Sequence, residues 1–201
     1  MARVDLTVRG GGAFGLCIAW EAARRGAKVR VIETSRIGAG SSGGVVGALS
    51  PHVPENWNPK KQFQLESLLM AATFWAEVAQ TSGLETGYGR VGRLQPLADA
   101  TAVELAKKRH ETANRLWDGQ AEWRVIPATQ AAWEPNTPSG WLVHDTLSAR
   151  LHPRMAAAAL VAAIRAKGSE VMEGEWRDEG PVIWATGVQG LRDLSADLGR
   201  P

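Results

Sequence analysis

The sequence predicts an α/β fold in which a parallel sheet is interrupted by a second segment of mixed α+β structure. A strand–helix–strand pattern opens the 201-residue chain, and helix and strand patterns resume near residue 153. Between them lie helices and short strands that do not continue this alternation. We therefore expect one domain formed by residues 1–50 and 150–201. An incomplete α+β domain formed by residues 51–149 is expected to be inserted in it.

The opening pattern begins with an alternating apolar run over residues 4–8, which predicts a strand. The next residues read G-x-G-x-x-G at Gly10, Gly12 and Gly15, and an Ala-rich helical stretch covers residues 14–25. In this context Gly10 allows a tight turn, Gly12 lets the backbone approach a pyrophosphate, and Gly15 lets the helix pack closely on the strand. The helix N-terminus, with its free amides and positive dipole end, then faces the anion.

A second strand is predicted over residues 27–32, and it ends at Glu33, 18 residues beyond Gly15. An acid near this spacing accepts hydrogen bonds from the ribose hydroxyls of a dinucleotide, and its charge disfavours a 2′-phosphate. NADP is therefore the least favoured of the usual dinucleotides. The alternative is a structural glycine turn followed by a solvated glutamate, but strand, turn, helix and acid agree on a dinucleotide site.

The later elements follow from capping and turn signals. The loop over residues 36–47 is too rich in glycine to form an element. Asn58–Pro59 predicts the N-cap and first residue of a helix that ends near Gly83. Thr101 and Glu104 predict a capping box for the next helix. The remaining expected elements are strands over 89–97, 122–126 and 140–146, a helix over 153–167 opened by a proline, and strands near 171 and over 181–185.

The bulk composition excludes several classes of protein. The net charge of +2 is too small to indicate a nucleic-acid or membrane partner, and no run approaches the roughly 20 apolar residues of a membrane span. Arg3 and Asp5 interrupt any signal-peptide core. Cys17 is the only cysteine, so it is expected to be a packing residue, and no histidine has metal-ligand spacing. We therefore expect a cytoplasmic protein without a metal site.

The chain resembles the FAD-binding part of the D-amino-acid oxidase family, which includes glycine oxidase and sarcosine oxidase. Besides the opening unit, the loop GAGSSGGVVGALSP over residues 38–51 resembles the segment that runs along the pyrophosphate and flavin ring. Residues 151–154 (LHPR) resemble the start of a crossover helix. Residues 182–187 (VIWATG) are similar to the strand that returns the chain to the flavin site. The resemblance implies a Rossmann-like FAD domain.

The resemblance also implies which residues hold FAD. The implied pyrophosphate contacts are Gly10, Gly12, Ala13, Phe14, Gly15 and Gly187. The implied adenosine contacts are Glu33 and Thr34 at the ribose and Trp176 at the adenine, although residues 173–180 are fewer than usual in the family. The implied contacts along the rest of the cofactor are Ser41, Ser42, Val46, Gly47 and Ala48. Alternatively, the two serines only cap a glycine-rich turn, and A-T-G is an ordinary strand-to-helix turn.

This sequence departs from the family pattern at three places, and we draw further expectations from these departures. Gly44 stands where some members attach the flavin through a histidine, which implies non-covalent FAD. Arg9 stands where small apolar residues are usual. The chain ends at Pro201, whereas family members continue and supply most substrate ligands there. We therefore expect an N-terminal portion or a truncated product that turns over no amine alone, and no catalytic residue is identified.

The implied reaction is removal of a hydride from a carbon next to nitrogen in a small amino acid or amine, giving an imine. Three other functions stay open. An NAD-dependent reductase would share residues 10–33 but has no need of the loop over 41–51. A flavin domain of a bifunctional tRNA-wobble-modifying enzyme has a similar loop, although the small net charge gives no support for an RNA partner. The third is a non-catalytic remnant that binds FAD weakly or not at all.

Overall fold

A computed structural model describes residues 4–199 and divides them into two compact units. The first unit comprises the described residues of the ranges 1–47, 75–87 and 152–201, and the second comprises 48–74 and 88–151. The domain boundaries expected near residues 50 and 150 stay predictions. Arg3, Pro201 and the outermost positions of the first expected domain lie outside the described residues.

The elements are, in chain order, β1 (Leu6–Arg9), α1 (Ala13–Arg24), β2 (Val29–Glu33), a 3₁₀ turn (Ser41–Gly43), β3 (Gly47–Leu49), α2 (Pro59–Ser82), β4 (Arg93–Pro96), α3 (Ala100–Leu116), β5 (Trp123–Pro127), β6 (Trp141–Asp145), β7 (Ala149–Leu151), α4 (Pro153–Ala166), β8 (Glu170–Glu173), β9 (Val182–Trp184) and α5 (Gly187–Asp197). Within residues 4–199, no helix has both the length and the apolar character needed to cross a membrane.

The first unit is built on a four-stranded parallel sheet with the order β8-β2-β1-β9. Side chains alternate between its faces, so Val8 and its neighbour Val31 share one face and both are fully buried. Helices α1 and α4 pack against each other and contact β1, β2 and β8, covering that face. The predicted α/β fold with a parallel sheet is confirmed.

The second unit is an α+β structure, as expected for the inserted segment. Its antiparallel sheet has the order β4-β6-β5, and β3 pairs with β7. Helix α3 and the part of α2 assigned to this unit supply the rest of a core centred on Trp117 and Trp123. The two indole rings meet edge to face with centroids 6.2 Å apart, an arrangement that aromatic pairs favour.

Two local predictions are wrong. Helix α3 begins at Ala100 rather than after Thr101, because Asp99 is the N-cap and its Oδ1 accepts the Ala102 N–H at 2.8 Å. Glu104 is paired with Lys107 instead of closing a capping box. The glycine-rich loop over 36–47 also contains a 3₁₀ turn and leads directly into β3.

Other capping predictions are confirmed. The Asn58 side chain accepts the Lys61 N–H at 3.2 Å, and α2 begins at Pro59. Pro153 opens α4 as predicted, and the side chain of His152 caps that helix. The strand expected over 89–97 is regular only over β4, with an isolated bridge from Gly89 to Arg150 in place of its first half.

Candidate cofactor site

Close approach of backbone atoms requires glycine in the turn after β1. Gly10 has φ +111°, and a Cβ built there would lie 2.3 Å from the carbonyl oxygen of Ala185, just beyond β9. A Cβ on Gly15 would lie 1.9 Å from the carbonyl oxygen of Gly10. Any side chain at these positions would therefore push α1 or β9 away from β1. The tight turn and the close helix packing expected from the motif are both present.

The N-terminus of α1 is open to an anion. Gly12 is the N-cap and has no side chain to bond the first amides, and the first turn holds no acidic residue. The Ala13 N–H donates to the Ser42 hydroxyl at 2.9 Å. A hydroxyl that accepts such a bond still carries a proton that it can donate to a phosphate oxygen. Helix dipole, amides and hydroxyl together make a site suited to a pyrophosphate.

Glu33 is held in place by the backbone around the turn. Its Oε2 accepts the Gly11 N–H at 2.8 Å, and its Oε1 accepts the Ser35 N–H at 3.0 Å. A carboxylate has about four lone-pair sites, so both oxygens keep the capacity to accept a hydroxyl. The carboxylate can therefore still accept the two hydroxyls of a ribose diol.

Gly11 is a site residue that the motif did not identify, because it occupies a position where the pattern allows any residue. A Cβ there would lie 2.9 Å from Cβ of Glu33 and 2.5 Å from Cδ1 of Ile37. The three consecutive glycines at 10–12 were the available signal. Gly11 must therefore stay small so that the acid can approach the turn.

The predicted contact residues of the glycine-rich loop differ in what they touch. Ser42 lies against the start of α1, whereas Ser41 only opens the 3₁₀ turn. Arg154, in the first turn of α4, donates from Nε to the Gly43 carbonyl at 2.7 Å and ties that helix to the loop. The side chains of Phe14 and Val46 are both more than four-fifths exposed. Gly47 and Ala48 are the first residues of β3.

A cavity of about 310 Å³ opens at the carboxyl ends of β1, β2 and β9. In open parallel sheets this edge is where ligands bind. The cavity brings together Gly10, Glu33 and Thr34, as predicted, and is also bordered by Arg9 and Trp184. Gly187, the first residue of α5, has φ +67° and follows the cavity residue Thr186.

Trp176 lies on the short connection between β8 and β9. Its carbonyl accepts a bond from Arg9 Nη2 at 3.2 Å, and its indole Nε1 donates to the Glu173 carbonyl at 3.0 Å. The connection begins at Gly174, whose N–H donates to the Glu33 carbonyl at 2.8 Å. The start of this connection, two residues before Trp176, is therefore bonded to the main chain of Glu33.

A family model described as FAD dependent oxidoreductase, DAO, matches residues 5–195. The chain belongs to the DAO family of FAD-dependent oxidoreductases. This confirms the resemblance found in the sequence, the oxidoreductase class and FAD as the cofactor. The glycine turn, the open helix N-terminus and the Glu33 carboxylate fit that cofactor, while each predicted FAD contact remains a prediction.

Individual proteins that are similar to this chain are named as oxidases. Glycine oxidase from Geobacillus kaustophilus is 26% identical over 167 residues, which is 83% of this chain and 39% of that protein. Its crystal structure superimposes with a TM-score of 0.76 at 20% identity, covering 99% of this chain and 59% of that one. Iminodiacetate oxidase from Chelativorans sp. BNC1 gives 0.77 at 20% identity, covering 94% and 57%.

L-Amino acid deaminase from Proteus myxofaciens gives a TM-score of 0.74 at 19% identity, covering 94% of this chain and 46% of that one. At these identities the superpositions show a shared fold. The chain spans between 39% and 59% of the length of the three relatives.

Proposed function

We propose that this chain binds FAD non-covalently and forms the cofactor-holding part of an enzyme that oxidises the C–N bond of an amino acid or amine. The observation that carries the proposal is the Glu33 carboxylate, fixed by the Gly11 N–H beside the open N-terminus of α1. Family membership and the names of the relatives, which refer to glycine, iminodiacetate and L-amino acids, support the substrate class.

Each residue group has a binding role in this proposal. The first amides of α1 and the Ser42 hydroxyl bind the pyrophosphate, and Glu33 accepts the ribose hydroxyls. Gly44 has no side chain that could form a covalent link to the flavin. The bound FAD supplies the hydride acceptor, so the chain contributes binding and orientation.

Titration of FAD into the full chain and two variants tests the cofactor part of the proposal. Charge-assisted hydrogen bonds contribute on the order of 1.5–3 kcal/mol, so Glu33→Ala is expected to weaken FAD binding by roughly tenfold to a hundredfold. Glu175→Ala is the matched control, because Glu175 is an exposed carboxylate on the nearby connection. FAD binding by Glu33→Ala that equals that of the parent would contradict the ribose assignment.

Denaturation tests the mode of attachment. Acid precipitation of the yellow protein is expected to release all flavin into the supernatant. Flavin that stays with the precipitate would show covalent attachment. Bound NAD in place of FAD would refute the proposed cofactor site.

The substrate class is tested with FAD-loaded protein and a panel of glycine, sarcosine, iminodiacetate, D- and L-amino acids, and the 2-hydroxy acids that match them but contain no amine nitrogen. Peroxide release and anaerobic loss of flavin absorbance are the two readouts. Oxidation confined to compounds without nitrogen would contradict the proposed C–N chemistry. Steady turnover of an amine by these 201 residues would contradict the expectation, drawn from the sequence, that the substrate ligands lie outside them.

A further inference from the structure

One side chain of the glycine-rich loop reaches the start of α1. The N–H of Ala13, the first residue of that helix, donates to the Ser42 hydroxyl at 2.9 Å. Gly12, the N-cap, leaves the room that this hydroxyl needs, because a Cβ built there would lie 3.2 Å from Ser42 Oγ. In the proposed FAD site the Ser42 hydroxyl donates its own proton to the pyrophosphate. The position of Ser42 therefore sets how well that anion is bound.

Ser42 is held in a tight 3₁₀ turn. The Gly43 N–H donates to the Gly40 carbonyl at 3.0 Å and closes this turn. A Cβ built on Gly43 would lie 2.4 Å from the carbonyl oxygen of Gly38, so the loop packs on itself with no space for a side chain at this point. Because Ser42 and Gly43 belong to the same turn, a shift of the Gly43 carbonyl also moves Ser42.

The Gly43 carbonyl is fixed from outside the loop by Arg154. Arg154 Nε donates to this oxygen at 2.7 Å, and the bond joins residues that are 111 positions apart in the chain. The other end of the loop has a separate anchor, in which the Ile37 N–H donates to Glu173 Oε1 at 2.7 Å. Arg154 is therefore the anchor at the end of the loop that carries Ser42.

Arg154 occupies a position that is unfavourable for α4 itself. A cation in the first turn of a helix lies at the positive end of the helix dipole. The first turn of α4 holds no acidic residue that could offset this charge, and His152 already supplies the N-cap. The Arg154 side chain is also exposed, so it contributes little to the core. The local energetics of α4 therefore do not account for this arginine, whereas its bond to the loop does.

We propose that Arg154 is a positioning residue for the pyrophosphate of FAD. By holding the Gly43 carbonyl, it keeps the 3₁₀ turn against α1 and the Ser42 hydroxyl beside the Ala13 N–H. This inference rests on the proposed FAD site and adds a residue to which the sequence assigned no cofactor contact. Arg154 acts through Ser42 and takes no part in the reaction.

Amide hydrogen exchange in the full chain without cofactor tests the first step of this proposal. The Ala13 N–H is bonded to Ser42 and the Gly11 N–H to Glu33, so the two amides report on the loop and on the acid separately. Arg154→Ala is expected to speed exchange of the Ala13 amide about fivefold and to leave the Gly11 amide within about twofold of the parent. Unchanged exchange of the Ala13 amide would overturn the proposal.

Calorimetric titration of FAD and of ADP, which share the pyrophosphate, tests the second step. Arg154→Ala is expected to weaken both ligands about fivefold, a typical coupling between neighbours in one hydrogen-bond network. Arg154→Lys retains a charged donor and should recover part of the loss.

Arg165→Ala is the matched control for these titrations. Arg165 is also an exposed arginine of α4 and also donates to a main-chain carbonyl, that of Val171 at 3.0 Å. This bond leads to β8 and not to the loop. Arg165→Ala should therefore change either affinity by less than about twofold, as a surface substitution does.

A double-mutant cycle with Ser42→Ala separates positioning from the charge of Arg154. Ser42→Ala alone is expected to weaken FAD roughly tenfold, because it removes a hydrogen bond to a charged group. In that background Arg154→Ala should add less than about twofold, since the hydroxyl that it positions is gone. An equal loss in both backgrounds would show that Arg154 acts on the phosphates directly, and it would overturn the proposal.

Failure of the proposed function gives a different result from failure of this inference. A parent chain that binds neither FAD nor ADP refutes the FAD site and, with it, the role of Arg154 at the pyrophosphate. A parent that binds FAD, with unchanged affinity in Arg154→Ala, overturns the role of Arg154 alone. If circular dichroism shows that Arg154→Ala is unfolded, Arg154→Gln, which retains a polar side chain, is measured in its place against the same criteria.

Discussion

On one face of the four-stranded sheet Val8 is fully buried under the cover of α1 and α4, while its neighbour Thr7 is equally buried on the opposite face under a short connection. The first face is stabilised by burial of apolar area, and this stabilisation is roughly proportional to the area removed from water and does not depend on direction. The second is held by hydrogen bonds and ion pairs that each need a particular partner.

The difference follows from what covers each face. Helices α1 and α4 offer Leu, Ile, Trp and Ala side chains, whereas residues 174–181 read GEWRDEGP and hold one large apolar side chain. A segment this short has no apolar layer to offer, so the strands beneath it present Thr7, Arg9 and Arg30 instead. Arg9, unexpected in the sequence, is thus explained by the acidic composition of the connection.

The largest expected effect lies on the apolar side. Ile164 of α4 is fully buried, and Ile164→Ala is expected to lower the free energy of unfolding by about 2–5 kcal/mol because it leaves a cavity. Val188→Ala is the control, since Val188 is 67% exposed on α5. Urea unfolding measures both. Similar losses in the two variants would contradict the packing described for this face.

Exchanging the residue types at positions 7 and 8 tests the difference between the two faces of the sheet directly. Thr7→Val makes its position more apolar but leaves the N–H and carbonyl of Glu179 without their partner, so we expect a loss of about 1–3 kcal/mol. Val8→Thr is expected to cost a similar amount by burying a hydroxyl under the helices. Thr7→Ser, which retains the hydroxyl, should lie closer to the parent. A Thr7→Val variant as stable as the parent would mean that burial of apolar area alone stabilises both faces.

The ion pair between Arg9 and Asp178 is expected to contribute less. Its side chains are 19% and 33% exposed, so solvent screens the charges, and a double-mutant cycle with Arg9→Met and Asp178→Asn should give a coupling of about 1 kcal/mol or less. The coupling should shrink in 1 M salt, where the Debye length is only about 3 Å. A coupling that is insensitive to salt would point to packing rather than charge.

The smallest effect at neutral pH concerns Cys17 on α1, beside the fully buried Leu16. Burial raises the pKa of the Cys17 thiol from its ordinary value of 9.0 to about 11. The folded chain therefore keeps the proton that the unfolded chain loses, so the free energy of unfolding should decline as pH rises from 9 towards 11. Cys17→Ser should reduce this slope, and part of it should remain because burial also raises the pKa of Tyr88.

Thiol alkylation checks the same shift. Iodoacetamide at pH 9 should label the native chain far more slowly than the urea-unfolded chain, because the thiolate is the reactive form. Equal rates in the native and unfolded chains would contradict the raised pKa.

Local patterns predicted the strand, turn and helix at residues 4–25, the acid at Glu33 and the first residues of α2 and α4. Each of these features depends on torsion angles and hydrogen bonds among a few neighbouring residues, so it follows from the identities of those residues. A shift of two residues is enough to make such a prediction wrong. The Thr101–Glu104 spacing indicates Thr101 as the N-cap of α3, but the N-cap is Asp99.

The sequence by itself determined that a glycine turn, an open helix N-terminus and an acid at a strand end would occur in this chain, because these are properties of neighbouring residues. Only the tertiary structure decided that Gly10 must leave room for the carbonyl of Ala185, that Gly11 must leave room for the Glu33 side chain, and that Arg9 has Asp178 as its partner. These contacts join residues that are 22 to 175 positions apart. Such pairs depend on the order and register of strands in the sheet, which no local pattern encodes.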